Sequence, residues 1–203
     1  MRNLVTIAVL VVSFSTVTGT ADAGIVLTLS DLSSDETPPE LLDATFDFIV
    51  EGGTLQLTVR NDTDTAEGFD IDAVYFNVSP GIDGLELTTP IDGWRIVADE
   101  RADGFGTFDY SLQTSSGNDL AEIAPQQAVT FMLQIQGDRL FDETDFTTQF
   151  SGIPPGSHPA IAAAKFVNGP GDDSAFGAVV PEPTTIAMVA IGAIAWLRRT
   201  RAY

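Results

Sequence analysis

The chain has 203 residues, no cysteine, and 29 acidic against nine basic side chains, a formal charge of −20 at pH 7. Charge of that sign repels nucleic acid and anionic lipid alike. Without thiols, disulfide staples, zinc–thiolate centres and cysteine nucleophiles are excluded, so a stable fold must rest on packing.

Met1-Arg2 is a positive start, Leu4–Val12 an apolar run, and Ala21-Asp22-Ala23 a small-x-small site. Together they read as a secretory signal peptide over residues 1–23, with Ala21 and Ala23 as cleavage residues and Gly24 first in the mature chain. A permanent N-terminal anchor is the poorer reading, because the run is short and Ser, Thr and Gly follow it. A folded domain of residues 24–167 is then expected, long enough for one core. Residues 24–180 hold 27 carboxylates against Arg60, Arg95, Arg101, Arg139 and Lys165. That excess reads as a solubilising surface.

Ile25–Leu29 alternates and precedes an acidic, Pro-rich loop at Asp31–Leu41. Phe46, Phe48 and Val50 then alternate with Asp47, Ile49 and Glu51. After Gly52-Gly53, Leu55, Leu57 and Val59 alternate with Thr54, Gln56, Thr58 and Arg60. Period two on both sides of a Gly-Gly pair predicts a hairpin with a primed turn, burying Phe46, Phe48, Leu55, Leu57 and Val59. Asn61–Gly68 reads as a polar loop. Ile71–Val78 predicts a strand with Val74, Phe76 and Val78 on one face, stopped by Ser79-Pro80-Gly81. Leu85–Thr88 predicts a short strand, and Trp94–Ala98 another with Trp94 and Ile96 inward. Phe105–Leu112 places Phe108, Tyr110 and Leu112 together. Val129, Phe131, Leu133 and Ile135 alternate with Thr130, Met132, Gln134 and Gln136, the clearest strand of all. Thr147–Phe150 is a weaker candidate, and the Ala-rich Ile161–Val167 closes the series. Runs of helical period are absent ahead of the tail. Eight to ten short strands with turns between them imply an all-β fold, an antiparallel β-sandwich of immunoglobulin-like or jelly-roll type.

Residue types that carry chemistry are sparse. His158, the only histidine, lies in Pro154-Pro155-Gly156-Ser157-His158-Pro159. A serine triad needs a histidine base oriented by a carboxylate, and a proline-locked loop is a poor host for one. Paired carboxylates hydrolyse glycosidic bonds. Among 27 acids, however, a pair singles out nothing, so no catalytic residue is assigned and the protein is read as non-enzymatic. Asp62, Asp64, Asp70 and Asp72, with Glu67, make an oxygen-rich stretch of the kind that suits calcium. It departs from the EF-hand, because Glu67 stands at the sixth position, where glycine is needed. Solvated turn acids are the alternative, and no other cofactor is expected. Trp94, Tyr75 and Tyr110 have faces able to stack on sugar, but each sits in an alternating run that favours the core.

Asn168–Val180 combines Gly169-Pro170-Gly171 with Asp172-Asp173 and small residues, and reads as a flexible linker over residues 168–180. The tail is residues 181–203. Pro181 and Pro183 bracket Glu182, so the chain there is extended. Ile186–Leu197 carries no charge and is apolar on all sides, predicting a short hydrophobic helix. Twelve helical residues rise about 18 Å, short of a hydrocarbon core of roughly 30 Å. Arg198, Arg199 and Arg201 follow as a basic stop, held in the cytoplasm by the positive-inside rule. The two ends agree: the domain between them is exported.

Pro181-Glu182-Pro183, a Thr-rich start, a short apolar helix and an arginine cluster, in that order over residues 180–201, resemble the PEP-CTERM sorting signal of exported bacterial proteins. The resemblance implies recognition by an integral-membrane, exosortase-type processing enzyme that removes the helix near the tripeptide. Pro181, Glu182 and Pro183 are then recognition residues in a substrate. It also implies transient insertion in the inner membrane of a Gram-negative-type bacterium, followed by a place at the cell surface or in the extracellular matrix. The function expected is that of a surface or matrix protein, adhesive or structural, with extracellular polysaccharide or matrix as partner and no nucleic acid. A carbohydrate-binding module with calcium support is the alternative; a glycoside hydrolase is a distant third.

Overall fold

The computed structural model describes residues 24–29, 42–115, 121–152, 158–170 and 173–180. The expected signal peptide, the whole Asp31–Leu41 loop and the tail at 181–203 lie outside the described residues. Among the described residues ten strands run in chain order: β1 (Ile25–Leu29), β2 (Ala44–Glu51), β3 (Thr54–Asn61), β4 (Asp70–Phe76), β5 (Gly84–Leu87), β6 (Trp94–Ala102), β7 (Gly106–Thr114), β8 (Ala128–Gln136), β9 (Ala162–Gly169) and β10 (Asp173–Val179). One helical turn, α1 (Thr144–Thr147), lies between β8 and β9. The strands form two five-stranded sheets, ordered β1-β2-β3-β8-β5 and β10-β9-β4-β7-β6, and the pairings within each are antiparallel.

Alternation explains the first sheet. Gly52 and Gly53 both take positive φ, 58° and 81°, which a two-residue primed turn requires. That turn sets the register, pairing Phe48 with Leu57 and Phe46 with Val59. Phe46, Phe48, Leu55, Leu57, Val59, Phe131 and Leu133 are consequently buried on one face. Ile71, Val74, Phe76, Leu112 and Phe166 of the second sheet close over them in one continuous core, the sandwich-like arrangement that the periodicity implies. Trp94 bridges the layers, its ring 5.0 Å from Phe131 and its indole N–H donating to the Ala121 carbonyl at 2.6 Å. A buried indole with its one donor satisfied is a packing residue.

Asn61 ties down the loop that follows β3. Its amide donates to the Phe69 and Ile123 carbonyls at 2.7 and 2.9 Å, while its oxygen accepts from the Thr63 N–H at 3.1 Å. Wholly buried polar groups are stable only when satisfied in this way.

Four features differ from the sequence reading. Thr147–Phe150 is not a strand: Thr144–Thr147 makes a helical turn that drives Phe146 into the core between Phe48 (6.3 Å) and Phe76 (6.5 Å), leaving Phe150 half-exposed. β6 continues past Ala98 to Ala102, keeping one register against β7 on either side of Asp99, whose φ of 56° breaks the extended backbone there. Beyond Asp99 the β6–β7 hairpin packs on the outer face of the second sheet, against Ala73, Tyr75 and Ala163. Phe108 therefore leaves the face of Tyr110 and Leu112 and packs on Tyr75, 5.8 Å away, in a second cluster with Ala102, Phe105, Ala160, Ala163 and Ala178.

The fourth difference concerns the stretch expected to be a flexible linker. Residues 173–179 are β10, paired with β9 from Asp173 opposite Gly169 to Val179 opposite Ala162. Ala175 enters the main core and Ala178 the outer cluster. A strand covered on both faces by close neighbours needs small residues, and small residues also make a linker. Composition alone does not separate the two.

Candidate functional site

β10 places the exit of the tail. Its ladder continues to its last residue, where the Ile161 N–H donates to the Val179 carbonyl at 3.0 Å. Val180 then packs against the outer cluster. Val180 alone separates the last strand from Pro181 in the sequence. Pro181, Glu182 and Pro183, the stop residues Arg198, Arg199 and Arg201, and the cleavage residues Ala21 and Ala23 lie outside the described residues. Among the described residues no helix is long and apolar enough to cross a membrane.

The aspartates suggested for calcium are not brought together. Asp62 pairs with Arg60 at 2.5 Å and accepts from the Thr45 hydroxyl at 2.6 Å. Asp64 caps its own turn through the Ala66 N–H at 2.9 Å. Asp70 accepts from the Asn168 amide at 2.9 Å. Asp72 pairs with Lys165 at 2.6 Å. Among the described residues no group of three or more acidic or histidine side chains is arranged to hold a metal ion. Each carboxylate is instead taken up by a different partner, Arg60, the Ala66 N–H, Asn168 and Lys165 in turn.

Asp72 and Asp145 show how differently buried acids are held. Burial pushes the Asp72 carboxyl above the ordinary carboxylate range, although hydrogen bonding and charge from Lys165 oppose it. Its Oδ1 is buried without a hydrogen-bond partner, which is why desolvation prevails. Asp145 goes the other way. The Arg139 guanidinium takes both its oxygens, at 2.9 and 2.5 Å, and holds its carboxyl below the ordinary range. Arg139 itself lies over the Phe141 ring at 4.7 Å, braced against the turn that carries Phe146.

Of the three aromatics singled out, Trp94 and Tyr75 are buried, 7% and 6% exposed, and have no free face for a ligand. Tyr110 is half-buried and stacked on Phe76 at 6.2 Å. It lines an open cleft of about 380 Å³ between the Val78–Ile82 turn and the middle of β6 and β7, together with Pro80, Asp99 and Asp109. Asp109 Oδ2 accepts from the Val78 N–H at 2.9 Å, tying the turn to the cleft floor. Burial and then the Asp109 charge push the Tyr110 hydroxyl up, so it stays protonated at neutral pH. A ring edge, one hydroxyl and two carboxylates form a surface able to hydrogen-bond a polyol. Sequence reasoning did not bring Asp99 and Asp109 together with Tyr110. The available signal was an acid within an extended run instead of at a turn, since a strand spares such a position only at a bulge or an open face. His158 is exposed, with its backbone N–H on the Gly104 carbonyl at 2.9 Å.

Fold and exit together define a compactly packed β domain that hands its chain directly to a C-terminal address. That address is the PEP-CTERM protein-sorting motif, whose family model matches residues 179–202. The match starts on the last residue of β10 and covers the tripeptide, apolar run and arginines. Such a motif marks an exported, surface-directed protein and in general implies processing by an exosortase-type enzyme. No curated protein and no solved structure matches the chain.

Proposed function

We propose that this is a non-enzymatic, exported surface or matrix protein of a Gram-negative-type bacterium, with an adhesive or structural role in the extracellular polymer layer. The tail is its address and the acidic β domain its payload. The observation that supports this most is the sorting-motif match beginning on the terminal residue of β10. A membrane segment too short for permanent residence suits one that is inserted only until it is cut. Replacing Pro181 and Pro183 with Ala tests the reading: a precursor that accumulates in the membrane fraction is expected. Maturation and release at the wild-type rate would overturn it.

A second reading, a carbohydrate-binding module, is favoured by the Tyr110 cleft. Glycan-array binding by the exported protein, saturable and lost in Tyr110→Ala at an unchanged melting temperature, would support it. Absence of binding, or binding indifferent to Tyr110, leaves the structural role. Turnover of a polysaccharide by the same protein would replace both readings with a hydrolase.

A further inference from the structure

Asp47 lies in the middle of β2, opposite Val26 of β1 and Thr58 of β3, and its Oδ1 is buried without a hydrogen-bond partner. A carboxylate oxygen in that state calls for a donor. Arg60, two residues beyond Thr58 and the cation closest in register on the neighbouring strand, is committed to Asp62 at 2.5 Å. The other neighbour is the backbone of Gly24. A Cβ built on Gly24 would stand 2.6 Å from Asp47 Oδ1, 2.7 Å from Ile49 and 2.9 Å from the Phe48 carbonyl oxygen. Only glycine fits so close an approach without displacement. Because a backbone nitrogen lies about 2.5 Å from its own Cβ position, the Gly24 nitrogen is within about 5 Å of the lone oxygen.

We propose that Asp47 is a docking site for the α-ammonium group that signal-peptide removal creates at Gly24. This rests on the reading of Ala21-Asp22-Ala23 as the cleavage site. Before cleavage the Gly24 nitrogen is a neutral amide with one N–H; afterwards it is a cation with three donors beside an unpaired carboxylate oxygen. Hydrolysis of the Ala23–Gly24 bond consumes one water and leaves the carboxylate on the departing signal and the ammonium on the domain. The new ion pair fastens β1, an edge strand whose Leu29 packs against Gly177 of β10. Maturation at the front of the chain thus tightens the edge from which the sorting tail departs.

The test uses the exported protein purified from its own cells. Intact mass first identifies the terminal residue; a start other than Gly24 overturns both the cleavage reading and the docking site. With Gly24 first, the α-amine is titrated by isotope-edited NMR, and its labelling by an amine-reactive ester is followed at pH 7. A free α-amine titrates at about 7.7–8.0. The docked group is expected to titrate about one pH unit higher and to label roughly tenfold more slowly, with both effects lost in Asp47→Asn. The wild-type titration needs no variant, so a poorly folding Asp47→Asn does not spoil the test. An ordinary midpoint with Gly24 in first place, or equal labelling in the two proteins, overturns the docking site while leaving the cleavage reading intact.

Discussion

Gly177→Val separates a strand from a linker at residues 173–179. A Cβ at Gly177 would meet Leu29 at 2.6, 3.1 and 3.3 Å along its side chain. Leu29 is 1% exposed and belongs to the main core, so it has no open direction in which to move. Overpacking of this kind costs about 1–3 kcal/mol. Replacing glycine within a strand returns roughly 0.5–1 kcal/mol by lowering the entropy of the unfolded chain. The clash prevails, leaving a net loss of about 1–2 kcal/mol, or a fall in melting temperature of about 2–8 °C for a domain of this size. Scanning calorimetry of the exported protein measures it. Shortening Leu29 should relieve the clash, so Leu29→Ala combined with Gly177→Val should cost about 0.5–3 kcal/mol less than the sum of the single changes. In a solvated linker the same valine would be neutral or slightly stabilising. An unchanged or raised melting temperature, with additive behaviour in the double variant, would refute the packing of β10 on β1.

Trp94→Ala should destabilise by about 3–5 kcal/mol in chemical denaturation, because a buried ring and its only hydrogen bond are removed together; Tyr110→Ala, at the half-buried cleft, should cost markedly less. A calcium chelator should leave the thermal midpoint unchanged, since Asp62, Asp64, Asp70 and Asp72 are each engaged separately; a drop of several degrees would restore the metal. The two perturbed aspartates should pull the pH dependence of stability in opposite directions. Asp145 has a lowered folded-state pKa, so its contribution is present above the unfolded carboxylate value of about 3.9 and is lost as pH falls through the folded one. Asp72 has a raised one, so the native state binds the extra proton and stability falls as pH rises from about 3.9 through the folded value. Denaturant midpoints against pH for Asp72→Asn should lose that fall, and those for Asp145→Asn should lose the acid-side decline.

How much could be read in advance depended on how local each signal was. The β2–β3 hairpin and β8 were legible because large apolar side chains alternate without interruption and a Gly-Gly pair marks the turn. β10 was not, because Ala175, Gly177 and Ala178 pack by being small, and smallness carries no period. The α1 turn is only four residues long, and what holds it is distant: Phe146 between Phe48 and Phe76, and Asp145 on Arg139. Phe108 changed company where the backbone of the partner strand takes positive φ at Asp99, which residue type and period do not announce. Strand order was beyond reach for a related reason, since β3 next to β8 and β4 next to β9 are contacts between stretches far apart in the chain. The Tyr110 cleft joins residues from three separate stretches, and nothing in any of them announces the others. The sorting tail was legible for the opposite reason. Another protein recognises it as a linear segment, so its meaning does not wait on folding.

The claim on which the account depends is that the tail is removed once it has delivered the domain. Intact-mass spectrometry of the protein isolated from its own cells tests that most directly. The account predicts a chain that begins at Gly24 and ends near Pro181-Glu182-Pro183, without Ile186–Leu197 and the arginines beyond it. A mature protein that still carries Tyr203 would contradict it.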